Sequence, residues 1–369
     1  MYSQNDLDEA VAAGALSAEA AAALRNHVDS QRASPAVDEE NFRLITGFND
    51  IFVAIASAIL LFAVGFIGQW AGVRLGTAIG PDGPSFLAPL AVAAMSWALA
   101  LFFTARRRMA LPSILLLLAF IGGVFFASMF SVGMVIGAAA FDDNPQLGFT
   151  VAGVSAAVAA LAAWFHWRRF RVPITVAAGA AAVAGIAVSL VLAAVGRNPG
   201  EVQDVFLGSV LLLGIGTFLF AMWWDGSDRE RLTRRSDVAF WLHLLAAPMI
   251  VHPIFTLLGL NDNSATIGEG LIAVALYVVL GLTALAIDRR ALLVSALAYV
   301  LYALNELFRE FGAVELNVAL TALVIGSALL MLSAFWTQAR AAVVRPLPDG
   351  LRDRLPLINR PVATPAPAA

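Results

Sequence analysis

Ten apolar blocks, each close to the length of a bilayer crossing, leave this chain few ways to fold. They cover residues 51–70, 86–103, 111–138, 147–165, 172–195, 205–223, 238–260, 267–287, 291–308 and 316–336. A helix rises about 1.5 Å per residue, so roughly 20 apolar residues cross a hydrocarbon core about 30 Å thick. Barrel strands would be about half that length and would alternate in polarity. A segment surrounded by lipid must also satisfy its own backbone hydrogen bonds. The blocks therefore predict an all-α polytopic membrane bundle of about ten transmembrane helices. Composition agrees, with 60% hydrophobic and 13% charged residues and a mean hydropathy of +0.82, beyond the range of soluble domains.

Orientation is read from the loops. Arg106, Arg107 and Arg108 follow the second block, Arg168, Arg169 and Arg171 the fourth, Arg229, Arg231, Arg234 and Arg235 the sixth, and Arg289 and Arg290 the eighth. The intervening loops hold single arginines at 74, 197 and 309, together with Asp82, Asp142, Asp143, Glu201, Asp204, Asp262, Glu310 and Glu315. The positive-inside rule then places the arginine-rich loops and both termini in the cytoplasm of a bacterial cell, with the chain in the inner membrane. The tail agrees, because Arg340, Arg345, Arg352, Arg354 and Arg360 follow the last block. Four of the helices that start on this side open with paired arginines and a small apolar start. Duplication of a two-helix unit would produce that pattern, and so would short loops obeying the charge rule.

Four segments follow from the pattern. Residues 1–30 read as a cytoplasmic helical hairpin, with Asn5 and Ser17 as caps and Gly14 as the turn. Residues 31–50 read as a linker, residues 51–336 as the bundle, and residues 337–369 as a cytoplasmic tail, interfacial and then disordered. In the tail Leu347, Leu351, Leu355 and Ile358 recur at helical spacing between arginines, which suits the surface of an anionic leaflet or an irregular tail. The hairpin carries Asp6, Asp8, Glu9, Glu19 and Asp29 against Arg25. That balance opposes nucleic-acid binding and suits a cytoplasmic protein partner.

Polar groups inside the apolar blocks are the candidate sites. The seventh block places His243 and His252 in one helix and adds Pro248 and Pro253 in its interior. Each proline removes a backbone bond, so the local backbone must face protein or a wet cavity. The histidines are nine residues apart, about 13 Å along a helix, too far to share one metal. The ninth block carries Asn305 and Glu306 before its apolar run ends. It runs in the same direction as the seventh, so His252 and Glu306 fall at similar depth and pair if the two helices touch. His252, Glu306, Asn305 and His243 are thus the ligand or proton site candidates, each with packing or helix-end alternatives. No catalytic, cofactor or metal site is expected. Cysteine is absent, as are the H-E-x-x-H, G-x-S-x-G and glycine-rich phosphate patterns.

The run "LDEAVAAGALSAEAAAALRNHV", a linker and then many helices resemble the uncharacterised bacterial membrane proteins of domain of unknown function 2157. The turn of Gly14, Leu16 and Ser17 is the local part of that likeness. The resemblance implies a cytoplasmic helical region ahead of a multispan bundle and brings no catalytic residues. A non-enzymatic packing, sensory or partner-binding role is the leading expectation, with a small-solute transporter or permease, proton-linked in one version, as the alternative. Membrane lipids are the expected surroundings.

Overall fold

The computed structural model describes residues 11–24, 48–80, 83–137, 139–195, 199–229, 231, 233–259, 267–310 and 316–357. The chain divides into two units, Met1–Phe42 with Leu357–Ala369, and Arg43–Pro356. In the first unit Gly14 takes φ +70, the left-handed turn that glycine reaches without strain. Its amide bonds to the carbonyl of Val11 at 3.0 Å. Ser17 Oγ accepts the amide of Ala20 at 3.1 Å and so caps the helix over residues 18–24. Asn5 and residues 31–47 of the predicted 31–50 linker lie outside the described residues, and Phe48 to Asp50 are already the first residues of a helix.

The second unit is all helical. Its elements are α1 (Phe48–Arg74), α2 (Leu87–Phe103), α3 (Ala110–Ile136), the short α4 (Ala139–Asp143), α5 (Pro145–Phe170), α6 (Ile174–Val195) and α7 (Pro199–Gly226). Then follow α8 (Arg234–Leu257), α9 (Ile267–Ile287), α10 (Ala291–Glu310), α11 (Asn317–Ala334), α12 (Trp336–Val344) and α13 (Asp349–Arg352). Each predicted apolar block overlaps one helix, though α2 and α10 are not among those long and apolar enough to count as spans. Among the described residues eight helices are long and apolar enough to cross a membrane, and α2 is a shorter apolar helix. The long third block ends as a helix at Ile136, because Gly137 at φ +86 breaks it before α4. Pro248 and Pro253 lie inside α8, which nevertheless runs unbroken from Arg234 to Leu257.

Most neighbours in sequence pack together, and α8 joins the later ones, touching α6, α7 and α10. Val251 and Phe255 of α8 bury against Ala273 and Leu280 of α9 and Ala296 of α10. Val238 and Leu242 bury against Ala177 of α6 and Ala221 of α7. A separate core of Leu117, Ile121, Ala159, Ala163 and Ile174 joins α3, α5 and α6. Small residues set the closest approaches. A methyl group on Gly214 of α7 would lie 2.9 Å from the backbone carbon of Met249, whereas Gly208 and Gly216 have nothing within 4 Å. Close helix contact therefore depends on Gly214 alone among those three.

The four arginine-rich turns share a backbone device. Arg108, Arg171, Arg231 and Asp288 all take φ between 52 and 57. Left-handed geometry costs a non-glycine residue roughly 1–2 kcal/mol. It ends one helix so that the next can start within a few residues, as at Arg171, whose amide bonds to the carbonyl of Trp167. The opposite face has a different closure. Between α1 and α2 the chain forms an antiparallel bridge of Ala78 with Ser85. Gln69 holds it, donating to the carbonyl of Gly83 at 3.0 Å and accepting the Ser85 amide at 2.8 Å.

Candidate functional site

The most concentrated buried charge lies on the arginine-bearing face, where α7 ends and α8 begins. Asp225 is the penultimate residue of α7 and only 1% exposed. A carboxylate at a helix C-terminus meets the negative end of the helix dipole, and burial removes its water. Its position therefore demands cations or donors, and two supply them. Arg289 Nη2 donates to Asp225 Oδ1 at 2.6 Å and Arg289 Nε donates to Oδ2 at 3.2 Å, a bidentate fork. His243 Nε2 donates to Oδ2 at 3.0 Å. Arg289 Nη2 also reaches the carbonyl of Ser236 at 3.0 Å. Ser236, Phe240 and His243 share one face of α8 at helical spacing, and the Phe240 ring lies 5.9 Å from Arg289 Cζ. His243 is fully buried against Phe218, and its Nδ1 has no hydrogen-bond partner among the described residues.

The start of α8 is built to hold this arrangement. Thr233 caps the helix, accepting the Arg235 amide at 3.2 Å, while Asp228 Oδ2 accepts from the amide and hydroxyl of Thr233 at 2.9 and 2.7 Å. The turn between α7 and α8 is thus pinned at both ends, which fixes where Ser236 and His243 stand relative to Asp225.

A second ionic group lies next along the chain, centred on Asp288. Arg231 Nη1 donates to Asp288 Oδ2 at 2.8 Å, and Nη2 donates to the carbonyls of Ile287 and Asp288 at 3.0 and 3.2 Å. A cation on the last carbonyls of α9 suits the helix dipole. Trp336 Nε1 donates to Asp288 Oδ1 at 2.8 Å, and Arg340 Nε lies 3.8 Å from the same oxygen. Arg340 Nη2 then holds the carbonyl of Pro356 at 2.7 Å, while Arg229 Nε and Nη2 hold the carbonyls of Leu355 and Arg352 at 3.0 and 3.3 Å. Asp225 and Asp288 together fasten the α7–α8 turn, the α9–α10 turn and the segment after α11.

Of the residues singled out from sequence, only His243 belongs to this cluster. His252 lies on the same helix, but its side chain is exposed and its Nδ1 pairs with the Tyr299 hydroxyl of α10 at 2.6 Å. The two helices do touch, as the depth argument required. The partner of His252 among the described residues is the tyrosine two turns before Glu306, whose own side chain lies outside them. Asn305 is half-buried on α10. Among the described residues no group of three or more histidines, cysteines or carboxylates could hold a metal ion.

No family model, curated protein or solved structure matches this chain. Its site is therefore read from its own geometry. The residues that sequence reasoning missed are Asp225, Asp288, Arg231, Arg289, Trp336 and Arg340. Topology explains the arginines and hides their pairing. The available signal was charge of the unexpected sign. Asp225 in "MWWDG" and Asp288 in "AIDRR" are carboxylates at apolar helix ends on the arginine-bearing face. His166 was also missed. It is 1% exposed, accompanied by Thr175 Oγ1 at 3.3 Å and by the rings of Trp97, Phe120 and Phe170 at 6.0, 5.8 and 4.6 Å.

Proposed function

We propose that this chain is a non-enzymatic, multi-pass protein of the bacterial inner membrane, with ten spans and both termini in the cytoplasm. It works as a packed platform that presents its amino-terminal hairpin to a cytoplasmic partner. The observation that supports this reading is the cluster on Asp225. Its carboxylate is filled by Arg289 and His243, and the neighbouring turns are tied down through Asp288. A network of this kind favours one arrangement of α7 to α12, because separating any pair would leave a buried charge without its partner. The Gly14 turn and the Ser17 cap support the hairpin part of this reading.

Transport is the second reading, and one feature favours it. A groove of about 620 Å³ runs along α6, lined by residues including Ala184, Val188, Ser189, Phe206 and Met249. Its volume is within the range of ligand pockets, and its lining suits an apolar molecule better than an ion. Reconstitution into liposomes separates the two readings. With a trapped pH indicator and an imposed gradient, the platform reading expects proton flux equal to that of protein-free vesicles for the parent, Asp225→Asn and His252→Phe. Flux in the parent above that of protein-free vesicles, abolished by His252→Phe in a variant that still unfolds close to the parent's temperature, would establish transport. Reporter fusions at both termini test the topology separately, and a reporter active outside the cytoplasm would refute it.

A further inference from the structure

The arginines on this face form two populations. In the later half, the loop from Asp225 to Asp237 carries Asp225, Asp228, Glu230 and Asp237 beside Arg229, Arg231, Arg234 and Arg235. There Arg229 and Arg231, with Arg289 and Arg340, are held by carboxylates or carbonyls of the chain itself. In the earlier half, residues 104–110 and 167–173 carry Arg106, Arg107, Arg108, Arg168, Arg169 and Arg171 and no acid. All six are exposed, and none meets a carboxylate among the described residues. The two loops are neighbours. Phe103, just before the first, and Phe170, within the second, pack on one buried group of Leu61, Ala100 and Leu116.

Four of the six guanidiniums rest on aromatic faces. Arg107 lies over Phe102 at 5.5 Å, Arg168 over Trp164 at 5.2 Å, Arg169 over Phe170 at 5.4 Å and Arg171 over Trp167 at 5.5 Å. A guanidinium held over a ring by cation–π attraction still has N–H donors to offer oxygen acceptors. Helices α3 and α6 begin in the same place with no acid in the first turn, and α3 has no side-chain cap, so two positive helix ends add to the patch. On the helices that lead into these two loops, Leu101 and Phe102 in the last turn of α2 and Leu161, Trp164 and Phe165 in the last turns of α5 are exposed to the surroundings. Phosphate-binding donors thus stand directly above an apolar belt.

We propose that this six-arginine patch binds the phosphate groups of anionic phospholipids in the leaflet it faces. A phospholipid meets both parts at once, its acyl chains on the exposed aromatics and its phosphate on the guanidinium edges. Zwitterionic lipid brings a cation to a surface that already carries six, so net-anionic headgroups are preferred. The inference needs only that these helices span a membrane. It stands whichever compartment the face occupies and whether or not the bundle transports.

The test is lipid retention by the full chain, purified in neutral detergent and measured by native mass spectrometry. Phosphatidylglycerol, phosphatidylcholine and inorganic phosphate are offered in parallel. The parent should retain phosphatidylglycerol over phosphatidylcholine by about tenfold or more, declining as salt rises. Replacing all six arginines by glutamine should bring the ratio close to one. Arg234→Gln with Arg235→Gln, two equally exposed cations at the start of α8, should leave the ratio unchanged. A parent without preference, a six-site variant that keeps it, a control that loses as much, or inorganic phosphate bound as tightly as lipid would each overturn the proposal. If the six-site variant does not fold, variants at 106–108 and at 168, 169 and 171 carry the test, each expected to lose part of the preference.

Discussion

Replacing Asp225 by asparagine should be the most damaging isosteric change in the later half of the bundle. The side chain keeps its shape, but Arg289, 4% exposed at its side chain, stays charged because a guanidinium does not lose its proton in proteins. It retains the carbonyl of Ser236 and loses the carboxylate that neutralised it, while an amide nitrogen or a neutral oxygen faces the donors at 2.6 and 3.2 Å. Leaving one partner of a buried pair uncompensated costs about 3–5 kcal/mol. At roughly 2 °C per kcal/mol for a large domain, the midpoint of thermal unfolding should fall by about 6–10 °C. Arg289→Gln in the same background removes the stranded charge, so the double variant should recover a large share of the loss, giving a coupling of about 2 kcal/mol or more. The assay is unfolding in detergent of the parent, both single variants and the double variant. A single variant within about 1 °C of the parent, or a double variant whose loss equals the sum of the singles, would show that the cluster contributes nothing as a charged unit.

Two further outcomes test the packing. Gly214→Ala should destabilise by about 1–3 kcal/mol through overpacking against the Met249 backbone, whereas Gly216→Ala, with open space at the same helix depth, should be neutral or stabilising; paired unfolding curves compare them directly, and equal losses would refute the close contact. His252→Phe and Tyr299→Phe remove the two ends of one 2.6 Å hydrogen bond, so each should cost about 0.5–1.5 kcal/mol and the double variant no more than the larger single. Additive losses would mean that the two side chains stabilise the helices independently.

The spans were legible because hydropathy is a local property. Each block of apolar residues carries its own evidence for a helix, and Gly14 and Ser17 mark a turn and a cap within a few residues of where they act. The order of the apolar helices therefore follows from the text of the chain, while their ends do not, since α1 and α7 run several residues past the apolar blocks that predict them. The turns on the arginine-bearing face were legible as charge, since a topology rule reads charge by summing it over short stretches.

Pairing was hidden for the same reason. Asp225 meets His243 18 residues away and Arg289 64 residues away, and Asp288 meets Trp336 across 48 residues. No local window contains both members. His243 and His252 illustrate the limit, because one helix with one composition presents the first to a buried carboxylate and the second to the exposed edge beside Tyr299. By itself the sequence determined that the chain is a bundle of membrane-length helices with arginine gathered on one face. Only tertiary structure decided which arginines are spent on internal carboxylates and which remain outside, because burial and partner distance are set by how distant helices pack, not by what lies beside a residue in the chain.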